Sequence, residues 1–356
     1  MKKIAIFTIQ SMNYGNRLQN YASSFILKNL GYDVCTLRTK SPEEIIEEVL
    51  SRKPKFKVIK CFIPMLKRIS QKFKFIIKRD RSHFFEEFDK KISMSKDYIG
   101  YNDYSVGKYD AIIVGSDQIW NTTFDFISNN CFLPFDHPCK VAFSASFGIE
   151  NIPYNQEIVD CLKDFIEISV REEAGAKIVK NLADREATVL VDPTMLLTQD
   201  EWRKVAKKPK GAKNGYILTY FLSPKCEQAN EKLEEIKNGR EVYELLNSYD
   251  KVAGTAGPAE FLWLFDNADL ILTDSFHACV FSFLFNKPFI VYDRNWKEGN
   301  MNSRLETLLT KFSLERKYAN SDLENDIWEH EYAEGYKQLN IEREKAINFL
   351  KKALEK

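Results

Sequence analysis

The stretch Asp266-Asn-Ala-Asp-Leu-Ile-Leu-Thr-Asp-Ser-Phe-His-Ala-Cys-Val-Phe-Ser-Phe-Leu-Phe-Asn-Lys-Pro288 decides the fold. Leu270-Ile-Leu272 is an apolar run with the length of a buried parallel strand. Thr273-Asp-Ser275 follows with loop and helix-capping chemistry. Ala278 to Phe285 is apolar at helix-compatible spacing, and Asn286-Lys-Pro288 stops it. His277 therefore falls where a strand ends and a helix begins. Open α/β sheets bind ligands at that end of their strands. A helix N-terminus also favours anions through its free N–H groups and its dipole. Of the four histidines, His83, His137, His277 and His330, only His277 lies at such a junction. The alternative for it is a core histidine satisfied by one hydrogen bond.

The same alternation extends outward in both directions. Lys3-Ile-Ala-Ile-Phe7 predicts a strand, and Arg17 to Leu30 a helix that Gly31 ends. Tyr32-Asp-Val-Cys-Thr-Leu37 predicts the next strand, which completes a βαβ unit. Further strands are expected at 109–114, 140–145, 165–170 and 188–191, each ending in polar residues. Pro209-Lys-Gly-Ala-Lys-Asn-Gly215 is the best linker in the chain. A second β/α series opens at Tyr216 and passes through a charged helix, Glu227 to Lys237. It continues through the turn Gly254-Thr-Ala-Gly-Pro258, the opening stretch, the strand Phe289-Ile-Val-Tyr292 and a terminal helix from Ile341. The expected class is α/β, with two doubly wound Rossmann-like domains in a GT-B-like arrangement. They cover 1–208, with a basic helical insertion near 51–90, and 215–356, with a cleft between facing strand ends.

A length of 356 residues suits two domains, and a hydrophobic fraction of 44% suits ordinary cores. The formal net charge of +1 gives no global field that would select nucleic acid. An anionic ligand must then be held by local basic groups. Seven cysteines without a Cys-x-x-Cys pair fit reduced thiols in a cytoplasmic protein. Cys131, His137 and Cys139 do not have the usual zinc spacing, and no metal is expected. The N-terminal apolar run is too short for a signal peptide. Ser51 to Arg81 mixes Lys and Arg with Phe, Ile and Leu. That pattern fits a solvated helical insertion or, in a second reading, peripheral contact with an anionic membrane at its inner face.

Two strand ends add chemistry. Gly115-Ser-Asp-Gln-Ile-Trp-Asn121 offers a close backbone approach at Gly115 and a hydroxyl and carboxylate at Ser116 and Asp117, which alternatively cap a helix. Arg171 follows Phe165 to Val170. With Asn13-Tyr-Gly-Asn-Arg-Leu-Gln-Asn-Tyr-Ala22, Ser169-Val-Arg-Glu172 and Thr273-Asp-Ser-Phe-His277, these segments resemble the polysaccharide pyruvyl transferases. The resemblance spans the chain from the first loop to about Arg304. It implies transfer of the pyruvyl group of phosphoenolpyruvate onto two hydroxyls of one sugar, giving a cyclic ketal and phosphate. Such ketals decorate capsules and exopolysaccharides, and the acceptor is a glycan or lipid-linked glycan. No cofactor is implied beyond phosphoenolpyruvate as co-substrate.

By this resemblance His277 and Arg171 bind the donor, and His277 also serves as acid/base group. This chain departs from the family where Ser275 stands in place of an expected arginine. Arg304 or Arg17 then supplies the missing cation, or the donor differs, or activity is lost. Asn13 and Asn16 suit sugar hydroxyls, as do Ser116 and Asp117, and Asp117 is also placed to accept a hydroxyl proton. Two rivals remain: a GT-B glycosyltransferase whose nucleotide sugar faces Gly254 to Glu260, and an inactive glycan-binding relative.

Overall fold

The computed structural model describes residues 1–39, 81–100, 103–104, 106–125, 127–294, 303–321 and 326–355. The basic stretch lies outside these residues up to position 80. Its end, 82–89, forms a short amphipathic helix that packs between the two halves.

The first sheet has eight strands. In chain order they are β1 (Lys3–Phe7), β2 (Asp33–Thr39), β3 (Met94–Gly100), β4 (Asp103–Tyr104), β5 (Ala111–Val114), β6 (Lys140–Ala145), β7 (Glu167–Val170) and β8 (Thr188–Val189). Their spatial order is β4-β3-β2-β1-β5-β6-β7-β8, and only the β3–β4 pair is antiparallel. The second sheet joins β9 (Tyr216–Tyr220), β10 (Glu241–Leu245), β11 (Leu270–Thr273) and β12 (Phe289–Val291) in parallel, in the order β10-β9-β11-β12. Strands β1, β5, β6, β9, β11 and β12 have continuous apolar stretches because helices cover both faces of a parallel sheet.

The helices are α1 (Tyr14–Asn29), α2 (Ser82–Asp89), α3 (Gln156–Asp164), α4 (Glu173–Ala183), α5 (Gln199–Arg203), α6 (Glu227–Lys237), α7 (Pro258–Asn267), α8 (Phe276–Leu284), α9 (Ser303–Lys311) and α10 (Ala333–Glu355). Strand order reverses between β1 and β5 in one sheet and between β9 and β11 in the other. These are the two switch points at which such sheets open a ligand crevice.

The junction between the halves is packed rather than open. A single apolar core includes Ile4, Ile6, Leu18 and Phe143 of the first half with Tyr216, Phe261, Phe265 and Phe281 of the second. Tyr14 stacks on Phe85 of α2 and Phe261 of α7, with ring centres 5.5 and 4.7 Å away. Its hydroxyl accepts from Arg81 Nη1 at 2.8 Å and donates to the Ala256 carbonyl at 2.8 Å. Helix α10 begins eight residues earlier than the sequence suggests and returns to the first half. Arg343 donates to the carbonyls of Met195 and Leu197 at 2.8 and 2.7 Å, and Lys2 Nζ donates to Leu354 O at 2.6 Å. Among the described residues, no helix is long and apolar enough to cross a membrane.

Candidate active site

His277 is in the first turn of α8, immediately after the β11 strand end. The backbone there is fixed from both sides. Ser275 N–H donates to Thr273 Oγ1 at 3.0 Å. The Asp274 carboxylate accepts from the N–H groups of Leu222 and Ser223 at 2.7 and 2.9 Å, which ties in the loop after β9. The imidazole is buried against the first turn of α1. A Cβ added to Gly15 would lie 2.1 Å from His277 Nδ1, so only glycine fits there. On its other side, Nε2 makes no hydrogen bond and faces Asp192 Oδ2 at 3.6 Å.

The first sheet brings the opposing groups. Gly115, at φ 121°, ends β5; a side chain there would meet Phe143 O at 2.3 Å. No helix follows β5, so Ser116 and Asp117 do not act as caps. Ser116 Oγ instead donates to Ser144 O at 2.7 Å and accepts from Arg171 Nη2 at 2.6 Å. Asp117 accepts from Gln118 N at 2.8 Å and from Asn16 Nδ2, and lies 3.7 Å from Arg171 Nη1. Arg171, immediately after β7, holds Asp192 Oδ2 with Nη2 at 2.5 Å. Its Nε and Nη1 have no hydrogen-bond acceptor.

Asp192 was not singled out by the sequence, which shows only a strand ending in Asp-Pro. Its importance comes from the neighbours that β7 and α8 bring to it. It is fully buried, and its Oδ1 accepts from Thr194 N and Oγ1 at 2.8 and 2.5 Å. Burial pushes the carboxyls of Asp117 and Asp192 up, but Arg171 and His277 beside them outweigh it. Both stay below the usual carboxylate range.

Arg304 joins this group from α9. The Cζ atoms of Arg171 and Arg304 lie 5.0 and 5.6 Å from the ring centre of Phe276. Burial, together with the neighbouring Arg171, lowers Arg304 to about 10. The two arginines line a crevice with Asp192, Met195, Phe276 and Lys311. Its open volume of about 20 Å³ is room for one or two waters. Entry of anything larger therefore requires side chains to move. Arg294, after β12, is a further cation that the sequence reading missed; its Nη2 donates to Asp274 O at 3.1 Å.

Other expected residues are placed elsewhere. Arg17 turns to Asp89 of α2 at 2.7 Å and does not join Arg171, because its position on α1 faces that helix. Asn13 caps α1 by accepting from Gly15 N at 2.8 Å. Ser275 is buried at the N-cap of α8 without a side-chain cap bond. The loop expected to face a nucleotide is closed. Phe84 of α2 covers Gly257, where a Cβ would lie 2.5 Å from that of Phe84, and Glu260 accepts from Gly257 N at 3.1 Å. His137, near Cys131 and Cys139, is satisfied by backbone: Nδ1 accepts from Cys139 N–H at 3.2 Å and Nε2 donates to Tyr109 O at 3.0 Å.

The family described as Polysaccharide pyruvyl transferase matches residues 13–295, a span that contains the β5, β7 and β11 strand ends just described. The chain belongs to that family. No curated protein matches it. Among solved structures it is similar to S. aureus MnaA in complex with UDP, at 13% identity and a TM-score of 0.47, covering 100% of this chain and 97% of that one. It is also similar to Acinetobacter baumannii MurG, at 9% identity and a TM-score of 0.42, covering 100% and 99%. A third is Medicago truncatula UGT71G1 with UDP-glucose, at 11% and 0.45, covering 99% and 98%. In this chain the family's arrangement is two largely parallel α/β sheets.

Proposed function

We propose that this chain moves the pyruvyl group of phosphoenolpyruvate onto two hydroxyls of one sugar in a surface glycan or its lipid-linked precursor. One observation carries the reading. Two buried guanidiniums, Arg171 and Arg304, share a crevice in which Arg171 Nε and Nη1 and Arg304 Nε have no acceptor. A donor with a carboxylate and a phosphate supplies those acceptors. Arg304 is the cation that offsets Ser275. In the addition, one hydroxyl oxygen bonds to the central carbon of the enol and a proton reaches the methylene carbon. The second hydroxyl then displaces phosphate, which leaves with that hydroxyl's proton. His277 is the acid/base group within this site, while Asp117 and Asn16 form the acceptor side.

The test is phosphate release from phosphoenolpyruvate with glycan fragments as acceptors, run beside nucleotide release from nucleotide sugars. Phosphate release that falls about 10²–10⁴-fold in His277→Ala supports the proposal. A melting shift with nucleotide sugars and none with phosphoenolpyruvate sinks it in favour of a glycosyltransferase; neither activity marks an inactive relative. The basic stretch before α2 suits a lipid-linked acceptor. Binding to anionic vesicles that weakens steeply with salt tests that part.

A further inference from the structure

We propose that Asp192 is a positioning residue that fixes which nitrogen of His277 works, keeping the proton on Nε2 and leaving Nδ1 as the atom that takes the acceptor's proton. The proposal deepens the pyruvyl-transfer reading and relies on it for the reaction, but not for the state of the ring.

Three observations meet here. His277 Nε2 is buried, has no hydrogen bond, and faces Asp192 Oδ2 at 3.6 Å. That separation is just beyond hydrogen-bond length, and catalytic contacts are commonly long before substrate binds. Asp192 cannot swing away, because its other oxygen is held by Thr194 N and Oγ1 at 2.8 and 2.5 Å and Arg171 pins Oδ2 at 2.5 Å. A carboxylate accepts only, so the imidazole nitrogen that faces it carries the hydrogen. The opposite nitrogen, Nδ1, packs against Gly15 of the Asn13–Asn16 turn and fills the space that a side chain there would take. Asn16 extends from that turn to Asp117, so Nδ1 is on the acceptor side and Nε2 on the buried side.

The same carboxylate explains how the donor site stays partly free. Asp192 occupies Nη2 of Arg171 and neutralises it, while Nε and Nη1 remain without acceptors. During addition, Nδ1 takes the proton of the attacking hydroxyl and the ring becomes an imidazolium stabilised by Asp192. That proton is then available for the methylene carbon, so the addition is balanced without another acid.

The state of the ring can be read directly. With only four histidines, ¹⁵N-histidine-labelled full-length protein gives few signals, and loss of one in His277→Gln assigns it. Long-range ¹H–¹⁵N correlation on the neutral ring distinguishes the two tautomers. The expected result is hydrogen on Nε2 in the native protein and a mixture or reversal in Asp192→Asn. The same variant should lose about 10²–10⁴-fold in kcat with a much smaller change in KM for phosphoenolpyruvate. Hydrogen on Nδ1 in the native protein overturns the proposal, and so does a folded Asp192→Asn with unchanged kcat. If that variant does not fold, the native spectrum alone decides. An Nε2–H ring in a protein that releases no phosphate from phosphoenolpyruvate keeps this assignment and removes the donor reading.

Discussion

Arg304 is buried, its Nε donates to nothing, and Arg171 repels it. Burial and the neighbouring Arg171 lower it to about 10, a cost set against the charged form. Arg304→Met keeps the length and apolar stem while removing that charge. The variant should melt several degrees higher than the native protein and lose most of the thermal shift that phosphoenolpyruvate gives. A lower melting temperature would show that Arg304 holds the fold instead. Asp117 and Asp192 act in the opposite sense. Their folded values lie below the ordinary 3.8, so their contribution to stability is fully present above that pH and drains as pH falls through the lower folded values. Acid unfolding should therefore shift to a higher pH when Arg171 becomes Gln and their partner is lost. His277, Arg171 and Asp117 were legible because each follows an apolar run at a strand end. Asp192 follows one too, but its worth depends on neighbours 21 and 85 positions away in sequence, Arg171 and His277. Arg17 misled for a local reason, since its place beside Asn16 says nothing about which face of α1 meets α2.

At the scale of elements, most of the buried strands and the helices α1, α6 and α8 follow from period and punctuation. The β3–β4 ribbon does not, because Met94-Ser-Lys-Asp-Tyr-Ile-Gly100 sets a polar run inside its apolar residues and, among the described residues, its outer neighbour is two residues long. Helix α2 was hidden at the end of a basic stretch whose charge dominates its composition. Its two buried residues, Phe85 and Phe88, turn it into a strap across the halves. The hydroxyl of Tyr14 joins this strap to the loop before α7 through Arg81 and Ala256 O, both at 2.8 Å. Tyr14→Phe keeps the ring stack and removes both bonds. It should cost about 1–3 kcal/mol, read as a lower urea midpoint with an unchanged slope. No change in midpoint would mean that stacking alone carries the contact.

For the whole molecule, the expected two sheets are present, but the expected open cleft is largely filled by one core that belongs to both. Patterns within single segments do not reveal how faces of distant helices pair, which is why α10 could not be assigned to the first sheet in advance. Phe349 of α10 stacks near Phe143 of β6 at 6.4 Å, and Lys345 donates to Val189 O at 3.0 Å. Urea unfolding followed by tryptophan fluorescence and by far-UV circular dichroism should give one coincident transition. Two separate transitions would show that the halves unfold independently. The contact of Lys2 with Leu354 also has a consequence for synthesis on the ribosome. Strand β1, central in its sheet, emerges early, yet the helix that meets its N-terminal end arrives last among the described elements. A nascent chain that has passed the linker near Pro209 holds a nearly complete sheet with apolar residues still exposed, a state that invites chaperone capture. Arrested chains ending before Ala333 should therefore remain open to protease across the first sheet and become resistant only once α10 has cleared the exit tunnel.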